Sequence, residues 1–221
     1  MSGKSILCIV GGIYHDFWGY ARHMMPIIES AGHTWTVTDD LDRLVGLSDE
    51  DVDVVLSYTS LSRHRDGLGD THPQSLSSKQ TVALRAWVSG GGGLVAVHSA
   101  TVSGVPNPEM AALLGGRFVE HPPQFTFMVT PVHQSHPIIE DIDAFTVRDE
   151  LYIQDVTDDA RVHMIAVDRG LAHPMVWTRH EGRGRVVHLA PGHGENVWAL
   201  APYQRLTLQA IDWVATYEGG E

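Results

Sequence analysis

Three histidines lie at the ends of short apolar runs or in the loops behind them: His15 after Ser5–Val10, His98 after Leu94–Val97 and His193 after Arg185–Ala190. A continuous apolar run of that length reads as a strand covered on both faces. In an open parallel α/β sheet, ligands bind outside the carboxyl ends of such strands. The three imidazoles are therefore expected on one edge, with Asp16 and Ser99 as polar neighbours. A histidine there suits proton transfer near neutral pH or metal ligation, and its plain alternative is a loop cap. Asp149-Glu150, with Tyr152 close by at a predicted strand start, supplies carboxylates that could orient an imidazole or carry a proton themselves. His121 and His136 lie in a looser middle segment. His136 and His173, each before proline, read as turn residues. His23, His64, His72, His133, His163, His180 and His188 read as structural or solvated.

No His-Glu-x-x-His and no paired Cys/His spacing is present, so no cofactor is expected from a local signature. A divalent metal held by residues from distant loops, for example His98, His121 and His193 with Glu150, stays open. Cys8, the only thiol, lies inside a predicted buried strand. Ser99 lacks the Gly-x-Ser-x-Gly elbow of a hydrolase nucleophile.

The elements that must position these groups alternate. Ser5–Val10 is a strand, and Phe17–Ala31 is a helix by its three- and four-residue apolar steps, with Asp16 as N-cap. Strands are expected at His33–Thr38 and Val52–Tyr58, and a helix at Lys79–Ser89 with Val82, Ala83, Ala86 and Trp87 inward. Gly90–Gly93 is a turn before the strand Leu94–Val97. Ser60–Leu76 is longer than a usual connection and reads as a lid or an insertion. Beyond Ala100 come a short helix from Pro106 to Leu114 and strands at Phe125–Thr130, Phe145–Val147, Leu151–Ile153, Val162–Val167 and Met175–Thr178. A hairpin turn at Glu181–Gly184 leads into Arg185–Ala190, and a last helix spans Pro202–Tyr217. One domain over residues 1–221 is implied, with a parallel sheet first and hairpin-like strands added in the second half.

The net charge of −12 repels phosphate backbones and anionic bilayers, so neither nucleic acid nor membrane is an expected partner. No apolar run approaches the ~20 residues that span a bilayer. A single cysteine fits a reducing, cytoplasmic setting. A homodimer is the default for a soluble enzyme of this size.

The motifs GGIYHDF (11–17), LSDEDVDVVL (47–56), GGGGLVAVHSA (90–100), ALLGGRFVEHPP (112–123), SHPI (135–138), DELY (149–152), PMVW (174–177) and GRGRVVHLAPGH (182–193) run in order over nearly the whole chain. Together with the region around Trp198 and Pro202, this series resembles the ThuA-like family. The resemblance implies a flavodoxin-like, doubly wound, mainly parallel sheet with helices on both faces, similar to class I glutamine amidotransferases. It also implies a link to the use of trehalose and related disaccharides through 3-keto sugars. In amidotransferases the strand after the glycine turn delivers a cysteine, and His98 stands at the corresponding place here. An imidazole does not form a glutamine thioester, so glutaminase chemistry is not expected to transfer.

The resulting expectation is an enzyme acting on a small-molecule sugar or keto sugar by proton transfer. His98 and His193 are its acid–base pair, with Glu150 as orienter or second base. His15, Asp16, Ser99 and His121 would bind substrate, Tyr152 would offer a hydroxyl, and Trp177 a sugar-stacking face. A non-catalytic module binding carbohydrate or a partner in the same cleft is the alternative.

Overall fold

The computed structural model describes residues 3–61, 75–132 and 135–216. Strands β1 (Ser5–Gly12), β2 (Thr34–Thr38), β3 (Val54–Ser60) and β4 (Gly93–Val97) lie parallel in the order β2-β1-β3-β4. The chain leaves β1 for one side and returns to β3 on the other, which makes β1/β3 the switch point where such a sheet opens a crevice. Helix α1 (Phe17–Ser30) joins β1 to β2, and α2 (Ser78–Ser89) precedes β4.

The alternation along β1 shows why its residues are apolar throughout. Ile6, Cys8 and Val10 pack with Tyr20, Met24 and Ile28 of α1. Leu7 and Ile9 point the other way, into a second cluster with Leu84 and Val88 of α2. Both faces are covered, so every position gains from leaving water, by roughly 1.5–3 kcal/mol for each large aliphatic side chain.

Between β4 and the last strand the chain makes a long excursion. Helix α3 (Pro108–Leu114) is capped by Asn107 and stopped by Gly115 at φ +71°. Strand β5 (Gly116–Glu120) pairs with β8 (Ile153–Val156) in a small separate sheet. Strands β6 (Phe125–Pro131), β7 (Phe145–Asp149), β9 (Arg161–Asp168) and β10 (Leu171–Glu181) extend the main sheet. Strand β11 (Gly184–Leu189) returns beside β4 in parallel, and helices α4 (Glu195–Trp198) and α5 (Ala201–Val214) follow. The main sheet among the described residues runs β2-β1-β3-β4-β11-β10-β9-β6-β7. The fold is the expected α/β class, mostly parallel, with added antiparallel strands from the second half.

The directions of those added strands decide the site. Each step along β11-β10-β9-β6-β7 is antiparallel, so β7 ends on the same edge as β1, β4 and β11. In a flat sheet β7 would lie roughly 19 Å from β11. Yet the Asp149 carboxylate at the end of β7 accepts from the Gly192 N–H at 2.8 Å. The extension therefore curls over the carboxyl edge and brings Glu150 onto it.

Several sequence expectations are corrected. Helix α2 buries Thr81, Leu84 and Val88, while Val82 is 55% exposed. The inward stripe starts one residue earlier than the apolar pattern indicates because Thr81 hydrogen-bonds Asn107 and fits inside. Glu150 and Tyr152 do not open a strand. They follow the end of β7, and β8 begins only at Ile153. Strand β5 and the 3-10 helix His98–Gly104 were not expected. Residues 62–74 of the expected lid and Tyr217 of the last helix lie outside the described residues.

Candidate active site

His98 is the first residue after β4 and adopts φ +45°, the left-handed region that non-glycine residues seldom occupy. Strain of about 1–3 kcal/mol is held there by the surrounding structure, as at many functional sites. The side chain is fully buried. Its Nδ1 donates to the Ala190 carbonyl at 2.6 Å, which turns Nε2 toward Glu150.

His15 follows β1 in the same way. Its neighbour Tyr14 takes φ +75°. The His15 Nδ1 donates to the Ile13 carbonyl at 3.2 Å, so here too Nε2 turns toward Glu150.

His193 sits beyond β11 in a loop pinned from several sides. Gly192 has φ +148°, and a side chain there would press on the Tyr203 hydroxyl, Val97 and His98 at 3.1–3.3 Å. The Tyr58 hydroxyl reaches the Gly192 and His193 carbonyls at 3.1 and 3.2 Å. Trp198 Nε1 donates to the Gly192 carbonyl at 2.5 Å. Buried Asp149 accepts from the backbone N–H of Gly192 at 2.8 Å, His193 at 3.3 Å and Glu150 at 2.8 Å. One carboxylate thus ties the backbones of two site residues together. Sequence reasoning missed Tyr58, which has no signal of its own inside an apolar strand. It placed Asp149 near the imidazoles without its clamping role.

These supports converge on one atom. Glu150 Oε2 lies 3.1 Å from His193 Nδ1, 3.5 Å from His98 Nε2, 3.8 Å from His121 Nε2 and 3.9 Å from His15 Nε2. His15, His98, His193 and Glu150 each bring one ligand-type atom within 4.8 Å of all the others. His15 Nε2, His98 Nε2 and His193 Nδ1 are buried and none makes a well-aligned hydrogen bond among the described residues. Burial, then the neighbouring His98, push the His15 pKa down to about 3, so this ring is neutral at ordinary pH. Glu150 raises the His193 pKa against the opposing effect of burial. Burial pushes Glu150 upward, but the His193 and His98 imidazoles outweigh it and hold the carboxyl well below its usual range.

The remaining predicted residues divide. Tyr152 packs on His98 with ring centroids 4.2 Å apart and on His121 at 5.4 Å, nearly parallel. His121, with a third of its side chain exposed, forms the rim and stands outside the group of four. Asp16 is exposed and accepts from Gly19 N–H as the cap of α1. Ser99 is fully buried in the 3-10 helix, and Trp177 is fully buried with Nε1 donating to the Leu114 carbonyl. A ring with no exposed face cannot stack on a sugar and a fully buried hydroxyl cannot reach one, so those roles are withdrawn for Trp177 and Ser99. The exposed aromatic rings flanking His15 in the chain are Tyr14 and Trp18. A cavity of about 560 Å³ lined by Asp16, Arg22, His23, Glu195 and Trp198 adjoins the cluster, and His193 belongs to both. Cys8 is fully buried in β1, where burial raises its thiol well above the usual value.

The fold is shared with solved structures. A ThuA-like protein from Parabacteroides merdae superimposes with a TM-score of 0.76 at 19% identity, over 100% of this chain and 93% of its own. One from Bacteroides uniformis gives 0.75 at 17% identity, over 100% and 95%. A β-galactosidase from Rahnella sp. R3 gives 0.65 at 12% identity, over 97% of this chain but 30% of its own. No curated protein matches the chain. Among the described residues no helix is long and apolar enough to cross a membrane. The model of the family described as ThuA, trehalose utilisation, matches residues 6–214, and the chain belongs to that family.

Proposed function

We propose that this chain is an enzyme of carbohydrate breakdown that acts on a disaccharide or 3-keto sugar by proton transfer beside a carbonyl or hydroxyl. The observation that carries this reading is the single Glu150 oxygen facing four imidazole nitrogens within 3.9 Å. Removing a proton next to a carbonyl needs a base and an electrophile for the charge that develops on oxygen. Glu150, kept ionised, is the base. His193, whose hold on its proton Glu150 strengthens, donates to the substrate oxygen, and His15 and His98 line the site behind it. His121 and Tyr152 at the rim contact the sugar hydroxyls. These roles depart from the sequence-based assignment of His98 and His193 as the acid–base pair with Glu150 as orienter or second base, because His98 has one nitrogen committed to Ala190 and no exposed surface. A cavity of about 560 Å³ beside His193 has room for a disaccharide-sized ligand. The family's link to trehalose use supports the substrate class. The buried Cys8 offers no thiolate for glutamine hydrolysis.

The test is turnover of 3-keto-glycosides by the purified protein beside Glu150→Gln and His98→Ala. Loss of a general base removes about 10²–10⁴ in rate, so at least a hundredfold fall in kcat is expected for Glu150→Gln. Unchanged turnover in that variant removes Glu150 from the chemistry. A wild type that binds these sugars without altering them is a binding module.

A further inference from the structure

We infer that His15, His98, His193 and Glu150 bind a divalent first-row transition-metal ion. Each residue comes from a different chain segment, yet one atom of each meets within 4.8 Å of the rest. Ligands about 2.0–2.2 Å from a common centre lie some 3–4 Å apart, so small side-chain adjustments complete the shell. The three nitrogens point inward as buried lone-pair or N–H positions without an aligned partner. Leaving such atoms unsatisfied costs roughly 1–3 kcal/mol each, and a shared cation removes that cost.

The far side of the rings is organised for ligation. His98 Nδ1 and His15 Nδ1 both donate to backbone carbonyls, which fixes the tautomer and aims each Nε2 at the centre. The His193 loop and Glu150 are held by the same Asp149 carboxylate. Three imidazoles and one carboxylate are a nitrogen-rich, thiol-free donor set. It favours zinc, manganese, iron or cobalt over magnesium or calcium, which prefer oxygen ligands. Four protein ligands leave room for a substrate oxygen on the side where Glu150, His193 and the rim residue His121 reach solvent. His121 stays outside the shell, in contrast to the ligand set expected from sequence.

In its chemical consequence the inference rests on the proposed function: the ion would then supply the electrophile, and Glu150, ligating through one carboxylate oxygen, would keep the other for the proton. Metal binding itself is measured without substrate. The full chain, stripped with chelator, is titrated with Zn²⁺, Mn²⁺ and Co²⁺ and followed by elemental analysis after gel filtration and by Co²⁺ visible absorption. One ion per chain is expected, with absorption bands typical of nitrogen ligation. His15→Ala, His193→Ala and Glu150→Gln should each weaken binding more than tenfold, while His180→Ala on the surface should not. Circular dichroism of each variant separates lost ligation from lost folding, and Glu150→Gln keeps the side-chain volume. Less than a fifth of an equivalent bound to folded wild type at 100 μM ion overturns the inference, as does unweakened binding in the ligand variants. Metal bound without turnover of keto sugars supports it and overturns the proposed function. Full turnover by demonstrably metal-free protein does the reverse.

Discussion

Two regions of this molecule gather histidines, and they do so to different ends. At the carboxyl edge, His15, His98 and His193 converge on Glu150, with bare nitrogens inward and backbone anchors outward. Beneath α5, His136 lies ring to ring with His163 at 4.2 Å and packs on Trp213 at 5.0 Å. There His163 Nε2 bonds the Thr178 hydroxyl at 2.8 Å. Burial, followed by Arg161 and other cationic neighbours, pushes His136 down to about 4. Burial, His136 and Arg161 push His163 to about 3. Neutral rings facing cations serve as polar packing. The difference lies in what the rings face: a carboxylate at the edge, arginines and an indole under the helix. Histidine richness alone distinguishes neither region.

The largest expected effect strikes the support of the first region. Asp149→Ala removes a buried carboxylate that accepts three backbone N–H bonds, at about 3 kcal/mol or more. Thermal unfolding should register that loss, and keto-sugar turnover should fall with it because the Glu150 and His193 backbones come apart. Stability and turnover both at wild-type level would show that the clamp does not organise the site.

The second region should answer to pH instead. Unfolded histidine titrates near 6.5, whereas folded His163 titrates near 3. Above pH 6.5 both states are neutral and the full stability is present. Below it only the unfolded chain gains the proton, so stability falls by about 1.4 kcal/mol per pH unit for this one group. Denaturant midpoints between pH 7 and 5 should show a shallower decline in His163→Gln than in wild type. Turnover at pH 7 should be equal in the two. A variant that keeps the wild-type slope, or loses turnover, erases the proposed distinction.

Trp177→Phe is a smaller perturbation. It leaves the buried Leu114 carbonyl unpaired and removes part of an indole, for about 2 kcal/mol of stability. KM for a sugar should not move, and a raised KM would return Trp177 to the binding site. The smallest effect belongs to His180, an exposed residue. His180→Ala should leave unfolding and turnover within measurement error.

Much of the sheet was legible because its signals are local. Buried parallel strands must be apolar on both faces, as Ile6–Val10 and Leu94–Val97 are. Asp16 and Ser77 cap helices α1 and α2 and Gly115 stops α3, signals that one or two residues suffice to give. The convergence of His15, His98 and His193 could be read too, since strand ends in a parallel sheet share an edge. The face of α2 was misread because Thr81 gains its burial from a bond to Asn107 far along the chain. Trp177 was misread because an aromatic residue on a strand gives no indication of which layer will cover it.

By itself, then, the sequence determined the strand-and-helix order as far as β4, the histidines at three strand ends and the family. Tertiary structure alone decided that β7, extending the sheet by successive antiparallel pairings, would curl back over that edge. Only this curl carries Glu150 from the looser half of the chain to the His193 nitrogen and sets Asp149 beneath both. Pairing partners and sheet curvature depend on contacts between distant segments, and no local pattern of residue types encodes them.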